Sequence, residues 1–507
     1  MSQDKSFYIT TAIPYVNAAP HLGHAMEFIE TDAIARYKRL MGYDTFFLTG
    51  TDEHGVKNYK TAAKVGMNVH DFTEKYATIY KELTKTLTMS NDDFIQTKDQ
   101  KRHWPACQKL WKKMRDKGDI FEKEYEGLYC EGCEMYVLEK DLIEGKCAVH
   151  KTEPSLLKEK NYFFKLSKYS EQIVKLIESK KLTIYPDFRK TEFLNLAKEG
   201  LLDVSFSRPR SVLPWGVDVP DDPDQVMYVW GDALTNYISA MGYAEETERF
   251  KTYWPADLHV IGKDIVRFHA GIWIGMLLSA ELEIPKGIMV HGFVTHNGEK
   301  MSKTTGNVVD PIGIVDKYGV DALRYYILRE IPTGRDGDFN DDIFIERYNS
   351  DLANNFGNLV NRVHTLIARN DIPYFSFNLD SDLYKKEVDK TWSKYTSKMD
   401  EYDIYQAIQT VVELMNFANK QIEDTKPWAL IKEDLDKGRG VLCNLLEIIR
   451  HLTILLSPII PTSCENIRQQ IGLNKEIDSN TEHGWGALEG DWNSLNESSI
   501  VFPRIES

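Results

Sequence analysis

The pattern of apolar positions defines the first elements. Residues 7–15 are an apolar, β-branched run interrupted near its end by Pro14, which predicts a strand. Ala19, Pro20 and His21 then open a different rhythm. Leu22, Met26, Ile29, Ala33, Ile34 and Tyr37 recur at helical spacing through Leu40. Residues 45–48 are a second strand-like run, stopped by Gly50. Strand, tight turn, helix, strand is the opening of a parallel α/β sheet.

Residues 60–117 read as helices. Residues 120–160 change character: they are short-patterned, Gly-punctuated and Cys-containing, which predicts loop and β-ribbon. Strand-like runs return at 226–230, 258–262 and 288–294, with an apolar helix over 265–282 between the last two. The α/β alternation therefore resumes, and the intervening stretch reads as an insertion in one sheet domain. From about 345 the pattern is helical, with amphipathic stretches over 346–370, 381–401, 403–425 and 438–456, and Pro458 and Pro461 breaking the last. A helical bundle is expected there. The boundaries predicted are 1–116 and 212–295 for the two halves of the sheet domain, 117–211 for the insertion, 296–345 for a lysine-bearing connection, 346–473 for the bundle and 474–507 for a C-terminal tail.

Composition then adds constraints. The chain has 507 residues, 42% of them hydrophobic, enough for several cores, so global disorder is excluded. Its 62 Lys and Arg against 77 Asp and Glu leave a net charge of −15, which by itself disfavours a nucleic-acid partner, because phosphate contacts need cations. The charge is uneven. Residues 98–117 hold eight basic residues against two Asp, 8 − 2 = +6, whereas 474–507 hold two against seven acidic ones, 2 − 7 = −5. Six cysteines are too few for a disulfide scaffold. The polar start lacks the pattern of a signal peptide, and no apolar run approaches the roughly 18 residues that span a membrane. A cytoplasmic protein is expected, with no membrane partner.

Three motifs carry candidate chemistry. Pro20-His21-Leu22-Gly23-His24 sits at the first strand-to-helix junction, where free helix N–H groups and the positive dipole end suit phosphate. Two imidazoles three residues apart face one side of the first turn and could donate to phosphate oxygens as charge develops. Gly298-Glu299-Lys300-Met301-Ser302-Lys303-Thr304 forms a Gly-flanked loop whose lysines can meet a triphosphate as movable cations. Cys130-x2-Cys133-x13-Cys147-x2-His150 has the paired spacing of a closed tetrahedral zinc knuckle, which predicts one structural Zn2+.

His-Leu-Gly-His and Lys-Met-Ser-Lys-Thr together resemble the two signatures of the class I aminoacyl-tRNA synthetases. The family forms usually read His-Ile-Gly-His and Lys-Met-Ser-Lys-Ser, so Leu22 and Thr304 are mild departures. Residues 12–17 (Ala-Ile-Pro-Tyr-Val-Asn), 49–55 (Thr-Gly-Thr-Asp-Glu-His-Gly), 228–233 (Tyr-Val-Trp-Gly-Asp-Ala) and 262–269 (Gly-Lys-Asp-Ile-Val-Arg-Phe-His) make the chain similar to the methionyl-tRNA synthetase family along nearly its whole length. The resemblance implies an α/β fold: a Rossmann-type parallel-sheet catalytic domain with a zinc-containing insertion, followed by an all-α anticodon-binding bundle. It implies methionine activation by ATP, with Mg2+ accompanying the ATP, and transfer to tRNA(Met), including the initiator tRNA. Catalysis would rest on His21, His24, Lys300 and Lys303. ATP would contact these four together with Gly23, Gly262, Asp264, His291, Gly292 and Val294. Methionine would contact Ile13, Tyr15, Asp52, Arg208, Trp230, Ala233, Leu234, Tyr237, Ile265 and His269, with Leu234 standing where some members carry Pro. Asn358, Arg362 and Trp428 would read the anticodon. The insertion of about 95 residues is too short for the hydrolytic editing domain of the related Ile, Val and Leu enzymes. The chain ends soon after the bundle, which predicts a monomer.

Overall fold

The computed structural model describes residues 5–506, apart from 131, 133, 134, 138, 140, 141, 149, 150, 302–306, 373, 374, 376–380, 474, 475, 478–481, 489–491 and 493. Six strands form one sheet: β1 (Ser6–Thr11), β2 (Asp44–Thr51), β3 (Asp93–Gln96), β4 (Thr183–Tyr185), β5 (Leu258–Gly262) and β6 (Gly287–His291). Their order is β3-β2-β1-β5-β6-β4, and every pairing is parallel. β1, β5 and β6 are almost wholly buried, as strands covered on both faces must be, and none shows an exposed polar face. From β1 the chain builds outward to β2 and β3 on one side and later fills β5 and β6 on the other. The order reverses between β1 and β5. Open α/β sheets bind their ligands at the carboxyl ends of the strands flanking such a switch.

Helix α1 (Leu22–Leu40) starts in that crevice and buries most of its length. Lys38 and Arg39 occupy its last turn, where cations suit the negative end of the helix. Two sequence expectations shift. The 60–117 region holds a strand, β3, between its helices, because the four residues of β3 can pair with β2 from Leu48 to Thr51. Residues 226–230 divide between the strand Asp222–Met227 and a short helix, Val229–Ala233. The close approach of Phe206 explains the small residue in that helix: a Cβ on Gly231 would lie 2.7 Å from its ring.

The insertion is an antiparallel ribbon of Ile120–Cys130 against Ser155–Phe164, in register from Ile120 opposite Phe164 to Tyr129 opposite Ser155. The bundle follows, with helices at Asn358–Arg369, Asp382–Asp400, Ile404–Thr425, Pro427–Glu433, Leu435–Leu456 and Pro461–Gln470. One apolar core runs from α1 into this bundle. A fully buried arginine joins the two. Arg324 pairs with Asp32 of α1 at 2.7 Å and donates to the carbonyls of Pro458, Ile459 and Leu87. A buried guanidinium is tolerated because a carboxylate and three carbonyls satisfy it. The last stretch is no solvated tail. Trp492 and Phe502 are buried, and the Ile505 backbone exchanges two hydrogen bonds with Asn349.

Candidate active site

A cleft of about 890 Å³ opens at the switch point. His21 is the N-cap of α1. Its Nδ1 accepts from the Gly23 N–H at 3.1 Å, while His24 Nδ1 accepts from the His21 N–H at 3.1 Å. The two imidazoles thus cap the helix reciprocally, a role usually filled by Ser or Thr with Glu. Their rings stack with centroids 3.9 Å apart, and the Tyr80 hydroxyl lies 3.3 Å from His24 Nε2. Glycine at 23 has a local cause: a Cβ would stand 2.9 Å from the His21 ring. Both histidines line the cleft.

On one side the cleft is aromatic and apolar. Ile13, Tyr15, Asp52, Trp230, Ala233, Leu234, Tyr237, Ile265 and His269 all line it. Trp230 stacks on Phe268 with centroids 3.9 Å apart and planes 4° from parallel. A π-helical stretch, Arg267–Trp273, carries Phe268 and His269; such turns re-aim side chains and are frequent at functional sites. His269 is buried between Ile265 O, 3.0 Å from Nδ1, and the Tyr237 hydroxyl, 2.7 Å from Nε2. A carbonyl only accepts, so Nδ1 carries the proton and Nε2 accepts from the tyrosine. Burial drives the His269 pKa down to about 4. This imidazole is neutral. Asp52 is buried at the end of β2, its carboxylate accepting from the His54 N–H and the Thr97 hydroxyl.

On the other side the cleft is lined by Gly262, Asp264, His291, Gly292 and Val294. Gly292 is required by a close approach: a Cβ there would meet the Arg335 carbonyl carbon at 2.2 Å. His291 faces two acceptors, Gly292 O at 2.8 Å from Nδ1 and the Glu27 carboxylate at 2.8 Å from Nε2. Two acceptors require two donors, the imidazolium form. Burial pulls its pKa down, yet the Glu27 hydrogen bond and the Glu27 and Glu30 charges outweigh that and raise it to about 9. Burial raises the Glu30 carboxyl to about 7, with the His291 charge opposing. Glu27, which the motifs do not flag, also lines the cleft. Its signal was available: it lies one turn after His24 on the same face of α1.

Other candidates lie apart. Arg208 does not line the cleft. It is buried, donates to Ser205 Oγ and Ser207 O at 2.8 Å, and sits over the rings of Tyr129, Tyr136 and Tyr228. Lys300 lies in the strand Glu299–Lys300, paired antiparallel with Val294–His296, and Met301 after it lines the cleft. Lys303 lies outside the described residues, as do Cys133 and His150. Of the other knuckle cysteines, Cys130 ends the long ribbon strand and Cys147 lies in the short strand Lys146–Cys147; both are buried. A second group, His103, Cys107 and Asp232, brings metal-ligand atoms together. Its spacing is that of hydrogen bonds: His103 Nε2 lies 2.7 Å from Asp232 Oδ1, whereas two ligands at about 2.1 Å on a tetrahedral zinc stand roughly 3.4 Å apart.

In the bundle, Arg362 lies over the Trp428 ring, 5.9 Å from its centroid, and Trp428 is 42% exposed. Asn358 opens the helix that carries Arg362 and lines a second cavity of about 350 Å³ with Asn354, Asn361 and Phe502. Five of the eight basic residues at 98–117 pair with carboxylates on other segments. Lys98 pairs with Glu74, Arg102 with Asp93, Lys109 with Glu246, Arg115 with Asp221 and Lys117 with Glu281.

This architecture is that of a class I aminoacyl-tRNA synthetase. The family described as "tRNA synthetases class I (M)" matches residues 7–148 and 136–364, and "Anticodon-binding domain of tRNA ligase" matches residues 384–500. The chain is 42% identical to the methionine–tRNA ligase of Caldanaerobacter subterraneus subsp. tengcongensis over 99% of its own length and 79% of that protein. It is 39% identical to the methionine–tRNA ligase of Rickettsia conorii, over 99% of its own length and 100% of that protein. The structure of Mycobacterium tuberculosis methionyl-tRNA synthetase in complex with methionyl-adenylate superposes with a TM-score of 0.92 at 38% identity, covering 99% of this chain and 100% of that one. The chain belongs to the methionine–tRNA ligase family.

Proposed function

We propose that the cleft at the switch point holds methionine and ATP side by side, and that the residues lining it divide the work. As a methionine–tRNA ligase, the chain activates L-methionine with ATP to methionyl-adenylate plus pyrophosphate, then transfers methionine to the 3′ terminal adenosine of tRNA(Met). The observation that carries the assignment of residues is the lining itself, in which an aromatic end with one buried carboxylate, Asp52, and an end built around His21, His24 and His291 share one cavity. Ile13, Tyr15, Trp230, Ala233, Leu234, Tyr237, Ile265 and His269 receive the side chain, since a polarizable thioether packs well on aromatic rings. Asp52 accepts from the ammonium. Arg208 contributes through the packing of the adjacent ribbon.

The methionine carboxylate attacks the α-phosphate in line, and pyrophosphate leaves. Positioning and neutralisation of phosphate charge supply the catalysis. Neutralising that charge is assigned to His21, His24, Lys300 and Lys303; Gly23 and Asp264 flank the nucleotide, and Gly262, His291, Gly292 and Val294 bound its base and sugar. Mg2+ accompanies the ATP and shields its phosphates. The ribose hydroxyl of the tRNA terminal adenosine then attacks the adenylate. Asn358, Arg362 and Trp428 read the anticodon: an exposed indole beneath a guanidinium is a stacking platform for single-stranded bases. The partners include the initiator tRNA, and the protein acts as a cytoplasmic monomer; among the described residues no helix is long and apolar enough to cross a membrane. One zinc, held by Cys130, Cys133, Cys147 and His150, braces the insertion, and metal analysis should return about one per chain.

Methionine-dependent ATP–pyrophosphate exchange by the full chain tests the reading. Exchange that vanishes without methionine is expected. Equal exchange with and without methionine would overturn it.

A further inference from the structure

One buried carboxylate lies behind the methionine end without touching the cleft. Asp232 sits between Trp230 and Ala233 in sequence, on the short helix Val229–Ala233. Its Oδ2 lies 2.6 Å from His54 Nδ1 and its Oδ1 2.7 Å from His103 Nε2. All three residues are at most 1% exposed. His103 Nδ1 is fixed in turn by Ser239 Oγ at 2.8 Å.

The far side of this bridge reaches the ammonium acceptor. The His54 N–H donates to Asp52 Oδ1 at 3.2 Å. Asn58 Nδ2 donates to the carbonyls of Asp52, Glu53 and His54, and the Trp215 indole donates to Glu53 O. The loop 52–54 is therefore clamped on its other sides, and Asp232 supplies the contact that registers it against the helix bearing the aromatic wall. Removing one partner of a buried charge-assisted bond costs more than the bond's net contribution, because the other group is left unpaired.

We propose that Asp232 is a positioning residue for methionine recognition: by bridging His54 and His103 it sets the Asp52 loop and the Trp230–Ala233 wall in one register, so that one carboxylate fixes the distance between ammonium acceptor and side-chain pocket. This rests on the assignment of Asp52 and Trp230 to methionine above. The arrangement makes the cleft selective for the separation of ammonium and side chain. It leaves the nucleotide end alone, because that end is built from α1, β5 and β6.

The test is ATP–pyrophosphate exchange with purified full-length Asp232→Asn, His103→Gln and wild type, each with its melting temperature. For Asp232→Asn the KM for methionine should rise about tenfold or more, the scale of a lost charge-assisted bond, while the KM for ATP stays within about twofold. His103→Gln, which keeps one of the two bridges, should move the methionine KM the same way by less, and it carries the test if Asp232→Asn does not fold. Asp232→Glu, which restores the charge, should recover part of the loss. An unchanged methionine KM, or methionine and ATP KM values rising together with a lowered melting temperature, would overturn the proposal. Exchange by wild type that does not depend on methionine would instead overturn the assignment of the cleft.

Discussion

The two ends of the cleft each hold one buried histidine, and the two are driven in opposite directions. His269, at the aromatic end, is lowered to about 4 by burial and accepts from Tyr237. His291, at the nucleotide end, is also buried, yet the Glu27 contact and the Glu27 and Glu30 charges raise it to about 9. Burial alone therefore does not decide the charge of a buried histidine. The partners do. A hydroxyl and a carbonyl leave the ring neutral, and a carboxylate and a carbonyl make it a cation. The distinction matches the two substrates. A thioether gains nothing from a fixed charge nearby, whereas a triphosphate needs cations to offset its own.

The largest effect is expected at the helix cap. His24→Ala removes the imidazole proposed to meet the phosphates, and kcat for exchange should fall by about 10²–10³ while the methionine KM stays within about twofold. A proportional loss at both ends would show that the cap acts only by holding α1. Trp230→Ala should do the reverse. It opens the aromatic wall, and the methionine KM should rise roughly 10–100-fold with the ATP KM little changed. Glu27→Gln sharpens the nucleotide end: His291 loses its carboxylate, and the ATP KM should rise about tenfold.

The last effect is on stability, and its sign differs between the ends. His291 has a folded pKa above its unfolded value, so its contribution is fully present below about pH 6.5 and is lost as the pH rises through about 9. His269 has a folded pKa below its unfolded value, so stability is present above about 6.5 and is lost as the pH falls through about 4. Each is worth on the order of 1–3 kcal/mol. Denaturant unfolding across pH should show the alkaline loss diminished in His291→Asn and the acid loss diminished in His269→Gln.

Much of the site was legible because its chemistry is local. His21, Gly23 and His24 lie on one turn, and the strand-turn-helix rhythm placed that turn at the sheet. Contacts between distant segments were not legible. Glu27 meets His291 across 264 positions, and nothing in the spacing pairs them. Arg208, expected to contact methionine, does not line the cleft and is enclosed by Tyr129, Tyr136 and Tyr228. The run at 98–117 counted as +6 along the chain, yet Glu74, Glu246, Asp221 and Glu281 come from elsewhere to meet it. A one-dimensional count sees charges and not their partners. Exposed pairs of this kind contribute little stability, and they lower the local charge that the run carries on its own.

The charge states of the two histidines distinguish the two ends of the cleft most directly. NMR titration of the imidazole Cε1–H signals in the full-length protein, assigned by their loss in His269→Gln and His291→Asn, measures both. The prediction is an apparent pKa near 9 for His291 and near 4 for His269. Two titrations close together around 6.5 would contradict it.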